Sequence, residues 1–192
     1  MDALLIALLL TLLVEAGGRL PPLYAALKRR YEGSVAVTVG MIVAMAANAA
    51  IGAIAGGLIA SMLSPEARNL FWALALAGAA GGLLWRGKGL EKELSGWRVG
   101  ALPTSALGLF LLGFGEAPAF LIAGIAASRA DPWMAGIGGT LGGVGAMLAM
   151  GSIGKEIPPR LFKGGRIALA LFLLLCAFII AMNALRLTGS AV

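Results

Sequence analysis

The sequence predicts an all-α integral membrane protein, with six transmembrane helices arranged as two inverted three-helix repeats. Three observations lead there. Hydrophobic residues fill 60% of the 192 positions and charged residues 12%, whereas a soluble domain carries roughly 25% charged residues. The charges fall in short clusters between apolar runs, and those runs approach the ~20 residues that a helix needs to cross a bilayer. The text around Glu15 also returns, altered, around Glu116.

Lipid offers the backbone no hydrogen bonds, so a long apolar run must be helical unless it is a barrel strand. Barrel strands alternate with period two, and no run here does. The first span is expected from Ala3 to Leu27, the second from Val35 to Met62 and the third from Asn69 to Trp85. After a charged connector come Val99 to Ser128, Trp133 to Ile153, and Ile167 to Leu185. The N-terminus has an acid, Asp2, where a cleaved signal peptide needs basic residues, so the first run reads as a retained span.

The basic residues set the topology. Lys28, Arg29 and Arg30; Arg86, Lys88, Lys92 and Arg98; and Lys155, Arg160, Lys163 and Arg166 lie in the loops after spans one, three and five. The opposite side holds Arg68, Arg129 and Arg186, balanced by Glu66 and Asp131. This asymmetry predicts a multi-pass inner (plasma) membrane protein whose two termini lie outside the cytoplasm. The net charge of +6 is therefore a topology signal, and no nucleic-acid partner is expected.

The repeat follows from two similar segments, Leu12-Leu13-Val14-Glu15-Ala16-Gly17 and Gly113-Phe114-Gly115-Glu116-Ala117-Pro118. A small-residue stretch, a charged turn and a glycine-bearing helix follow each, with Gly40 and Ala44 matching Gly139 and Gly143. Ser64-Pro65 and Ile157-Pro158-Pro159 converge again. Residues 1–85 then form the first repeat, 86–98 a cytoplasmic linker and 99–192 the second. Three crossings per repeat invert the second and put the pseudo-twofold in the membrane plane.

The residue inventory narrows the chemistry. There is no histidine, and the single cysteine, Cys176, lies in an apolar run, so any metal site must be built of oxygen. No phosphate loop, nucleophile elbow or metalloprotease pair is present, and no enzyme activity or bound cofactor is expected. An acid at mid-bilayer costs on the order of 3 kcal/mol and usually faces a bundle interior or a wet cavity. Glu15 and Glu116 are such acids, and the pseudo-twofold would bring them together. Two carboxyls sharing a cavity can bind a cation and can also exchange protons. Helix breakers flank both: Gly17, Gly18, Pro21 and Pro22 after Glu15, and Pro118 after Glu116. Broken helices expose backbone carbonyls and helix ends at mid-membrane, although packing kinks are also common there. Asn48 lies on a stripe with Ala44, Gly52 and Gly56, and is either a neutral oxygen ligand or an interhelical hydrogen bond. Gly78 with Gly82, and Gly139 with Gly143, repeat a small-residue spacing that packing explains.

Together these residues resemble the Gdt-type calcium/manganese transporters, members of a lysine-exporter-like superfamily that exchange divalent cations for protons. Their motif, Glu-x-Gly-Asp-Lys/Arg-Ser/Thr, occurs once per repeat. Here the first copy reads Glu15-Ala16-Gly17-Gly18-Arg19-Leu20, keeping the acid, one glycine and the base. The second reads Glu116-Ala117-Pro118-Ala119-Phe120-Leu121 and keeps the acid. The likeness covers nearly the whole chain, including Met1-Asp2-Ala3-Leu4-Leu5 and Leu63-Ser64-Pro65-Glu66. It implies a site in which Glu15 and Glu116 bind the cation and protons, Arg19 tunes it and Asn48 adds an oxygen. The expected partners are the lipid bilayer, a small cation (manganese or calcium) and protons. A homodimer or a membrane partner is also compatible with the sequence.

Two other functions fit the same residues. Both motif aspartates are missing, which suits a non-transporting paralogue or a subunit whose partner supplies ligands. Alternatively, Phe114 and Phe120 beside Glu116 could line a pocket for a monovalent or organic cation.

Overall fold

The computed structural model describes residues 1–85, 90, 94–153 and 158–185. Among them are eight helices and no strand: α1 (Asp2–Ala16), α2 (Leu20–Arg30), α3 (Val35–Met62), α4 (Pro65–Leu84), α5 (Ala101–Gly113), α6 (Ala117–Arg129), α7 (Pro132–Ile153) and α8 (Pro159–Ala184). The sequence's Arg86, Lys88, Lys92, Lys155, Ile157 and Arg186 lie outside the described residues.

Local chemistry explains the boundaries. The Ser34 hydroxyl accepts from the Ala36 amide at 3.2 Å, and the Ser64 hydroxyl from the Ala67 amide at 3.3 Å. These side chains satisfy amides that have no partner inside α3 and α4. The Asp131 carboxylate does the same for the Met134 amide, at 3.1 Å, as α7 begins. Helix α6 ends where Ala130 turns left-handed, with φ +52°.

α3, α4, α7 and α8 are each long and apolar enough to cross a membrane. The spans expected at 3–27 and 99–128 are not continuous helices. The first is α1 and α2 bent by 69°, and the second is α5 and α6 bent by 68°. Counting each bent pair as one crossing raises the number from four to six. Leu171, Phe172, Leu175, Phe178 and Ile179 of α8 and Leu5, Leu9 and Leu13 of α1 lie exposed. Such apolar surface suits a multi-pass membrane protein, because lipid solvates it as readily as a protein core does.

Inside, small residues set the helix spacing. On α3, Ala44, Asn48, Gly52 and Gly56 form one buried stripe, as the spacing predicts. A methyl group at Gly52 would meet the Ala119 carbonyl of α6 at 2.7 Å, and one at Gly56 would overlap the Ala123 carbonyl. On α7 the glycines pressed onto backbone are Gly138 and Gly142, against the Leu4 and Leu8 carbonyls of α1. Gly139 and Gly143, paired by the sequence spacing, face the side chains of Ile122 and Met45 instead. The 86–98 linker is docked where it is described. Leu94 is buried against Gly108 of α5, and the Arg30 guanidinium donates to the Leu94 carbonyl at 2.6 Å and to that of Trp97.

Candidate functional site at two helix breaks

Both breaks are three residues long and built differently. After Glu15, the Gly18 amide donates to the Glu15 carbonyl at 2.9 Å, closing a tight turn. Gly17 lets other helices approach this turn: a methyl group there would meet Leu83 at 2.9 Å and Arg166 at 3.1 Å. Pro21 and Pro22 stand in the first turn of α2, where an amide would have no intrahelical partner. In the second break, Phe114 and Glu116 are extended and Gly115 has φ +77°. That angle favours glycine, which has no Cβ to clash. Pro118 again occupies the first turn of the helix that follows.

The breaks converge. Glu15, Gly17, Gly18, Arg19 and Leu20 from the first and Glu116, Ala117 and Pro118 from the second line one cavity of about 260 Å³. Gly82, Leu83 and Trp85 of the α4 end and Arg166 of α8 complete its wall. The two carboxyls differ in circumstance. Glu116 is partly exposed and is ion-paired with Arg19, 97 positions away in sequence. Glu15 is 3% exposed, and its Oε1 has no hydrogen-bond partner among the described residues. A buried, partnerless oxygen costs about 1–3 kcal/mol.

Six residues singled out in the sequence, Glu15, Gly17, Gly18, Arg19, Glu116 and Pro118, therefore share the cavity, while Asn48 and Pro21 are not among its lining residues. Pro21 is buried in α2. The Asn48 amide donates to the Phe110 carbonyl at 3.3 Å, bracing the last turn of α5 above the second break. Among the described residues its Oδ1 is buried without a partner, as is the Thr11 hydroxyl one turn before Glu15. Thr11 is not among the candidate residues that the sequence singles out.

Arg166 was also missed. The expected sixth span began at Ile167, leaving this arginine as a loop charge, but α8 starts at Pro159. Arg166 therefore reaches inward and donates to the Leu83 carbonyl at the end of α4. With it the cavity wall holds two acids and two bases. Among the described residues no three acidic, cysteine or histidine side chains are grouped to hold a metal.

Gly78 and Gly82 do not serve packing as their spacing suggests. Among the described residues nothing lies within 4 Å of a methyl group added at Gly78, and one at Gly82 would touch the Ala117 methyl alone, at 3.5 Å. Both line a second cavity of about 640 Å³, beside the same ion pair, with Phe71, Phe114, Glu116 and Phe120. No protein-family model, curated protein or solved structure matches the chain.

Proposed function

We propose that this chain is a secondary transporter of the Gdt type, exchanging a cation for protons at Glu15 and Glu116. The observation that carries the proposal is their convergence, from two broken helices, on one cavity with Arg19. In this reading the six crossings form two inverted repeats in the plasma membrane, with both termini outside. The helix packing supports it: exchanging α1 with α5, α3 with α7 and α4 with α8 turns the α1–α7 contact into α5–α3, and both pairs pack. The α3–α7 and α4–α8 contacts map onto themselves.

Arg19 supplies the step the sequence did not contain. In this state it neutralises Glu116, leaving Glu15 as the carboxyl without a partner on its buried oxygen. A divalent ion needs several oxygen ligands and charge to offset the loss of its water. It would recruit both glutamates by displacing Arg19 from Glu116 and releasing the proton of Glu15. When the cation leaves, Arg19 closes on Glu116 and Glu15 takes its proton back.

A second reading draws on the neighbouring cavity. Three phenylalanines and Glu116 around about 640 Å³ suit an organic cation, whose charge attracts both a carboxylate and aromatic faces.

Manganese and calcium flux into proteoliposomes under an imposed pH gradient tests the proposal, comparing wild type with Glu15→Gln/Glu116→Gln. Flux in wild type and none in the double variant is the expected result. Undiminished flux in the variant would remove the glutamates from the mechanism. Absence of metal flux in correctly folded wild type would favour the organic cation or a chain that does not transport on its own.

A further inference from the structure

A separate cavity of about 380 Å³ lies at the end of the bundle, between the last turns of α2 and α7 and the first of α3. It is lined by Tyr24, Ala25, Lys28, Arg29, Thr38, Leu148, Gly151 and Ser152. The three consecutive basic residues of α2 divide their work. Arg30 is committed to the carbonyls of Leu94 and Trp97, whereas Lys28 and Arg29 both face the cavity.

The polar groups are arranged in order. The Tyr24 and Thr38 hydroxyls lie 3.0 Å apart, and the Lys28 ammonium donates to the Gly33 carbonyl at 3.1 Å and lies 3.4 Å from the Thr38 hydroxyl. Gly151 makes room for the tyrosine, since a methyl group there would meet its ring at 2.9 Å. Two cations, two hydroxyls and Ser152 therefore border a cavity that, among the described residues, no carboxylate lines. That donor set fits a phosphate monoanion.

The apolar rim decides the source of the phosphate. Leu148, in the wall itself, is exposed. Val35 and Ile42, three residues before and four after Thr38 on α3, are exposed too, which places them on its face of the helix. An acyl chain can lie along these side chains while its headgroup occupies the cavity. Basic pockets between helices at a membrane surface bind anionic lipid headgroups in this way.

We propose that this cavity is a specific site for the phosphodiester headgroup of an anionic phospholipid, held by Lys28 and Arg29. The site stands apart from the glutamates and does not depend on transport.

The test is lipid retention by the purified full-length protein in detergent, read by native mass spectrometry against added phosphatidylglycerol or phosphatidylcholine. Wild type should retain one phosphatidylglycerol and discriminate against phosphatidylcholine. Lys28→Gln/Arg29→Gln should weaken retention roughly 20- to 30-fold, from about 1 kcal/mol per basic side chain. The charge-keeping Lys28→Arg/Arg29→Lys should retain the lipid, as should Arg129→Gln at the other end of the bundle. Equal retention by wild type and the glutamine variant would overturn the proposal. So would equal retention of both lipids, or displacement of the lipid by millimolar inorganic phosphate, which would assign the cavity to a soluble phosphate.

Discussion

In the proposed exchange, the Arg19–Glu116 pair would control how many carboxylates a cation meets. The pair is only partly buried, and exposed ion pairs are worth less than about 1 kcal/mol. A cation can therefore compete with it. Removing the arginine should free Glu116 for the substrate, so Arg19→Gln should lower the KM for cation flux about fivefold, the most such a pair can supply. Proteoliposome flux across a concentration series separates this from a change in maximal rate. A raised KM would mean that Arg19 holds the substrate instead of competing with it. The motif Glu15-Ala16-Gly17-Gly18-Arg19 made the acid and base visible in the text. It could not show that the base would pair with the acid of the other helix break, because that contact spans 97 residues. Arg166 was hidden for a similar reason: charge counting assigns a basic residue at a predicted span edge to the loop, and only the observed start of α8 draws it inward.

At the scale of the helices, glycine serves two opposite purposes that spacing cannot distinguish. Gly142 removes volume so that α7 can touch the α1 backbone at Leu8, and Gly78 leaves volume empty beside Glu116. The two should respond differently to the same substitution. Gly142→Leu should destabilise the protein by about 1–3 kcal/mol or more, since overpacking displaces backbone. Gly78→Leu should leave unfolding in detergent nearly unchanged while narrowing the larger cavity, and so reduce flux of an organic cation more than that of a metal ion. Chemical unfolding and flux on the two variants check both statements. The breaks themselves were legible, because Gly17, Gly18, Pro21 and Pro118 mark them directly. Their bends of 69° and 68° were not, because a glycine or proline states where a helix yields and its packing partners set how far.

For the whole molecule, the distribution of basic residues predicts which end faces the cytoplasm. In a Cys176→Ser background, a cysteine at Ala130 should react with a membrane-impermeant thiol reagent added to intact cells. A cysteine at Glu32 should react only after permeabilisation. Both positions are exposed in turns, so the reverse pattern would invert the topology, and labelling of both from one side would remove the odd number of crossings between them. Composition alone was enough to make the chain helical and apolar-faced, since lipid leaves an unpaired backbone no other partner. The paired acids and broken helices also follow from local text, because each is a property of a few consecutive residues. The shared cavity, the ion pair between the two helix breaks, the inward reach of Arg166 and the empty space at Gly78 come from tertiary structure alone. Each depends on which helix faces which, and that is decided by close packing between residues far apart in the chain.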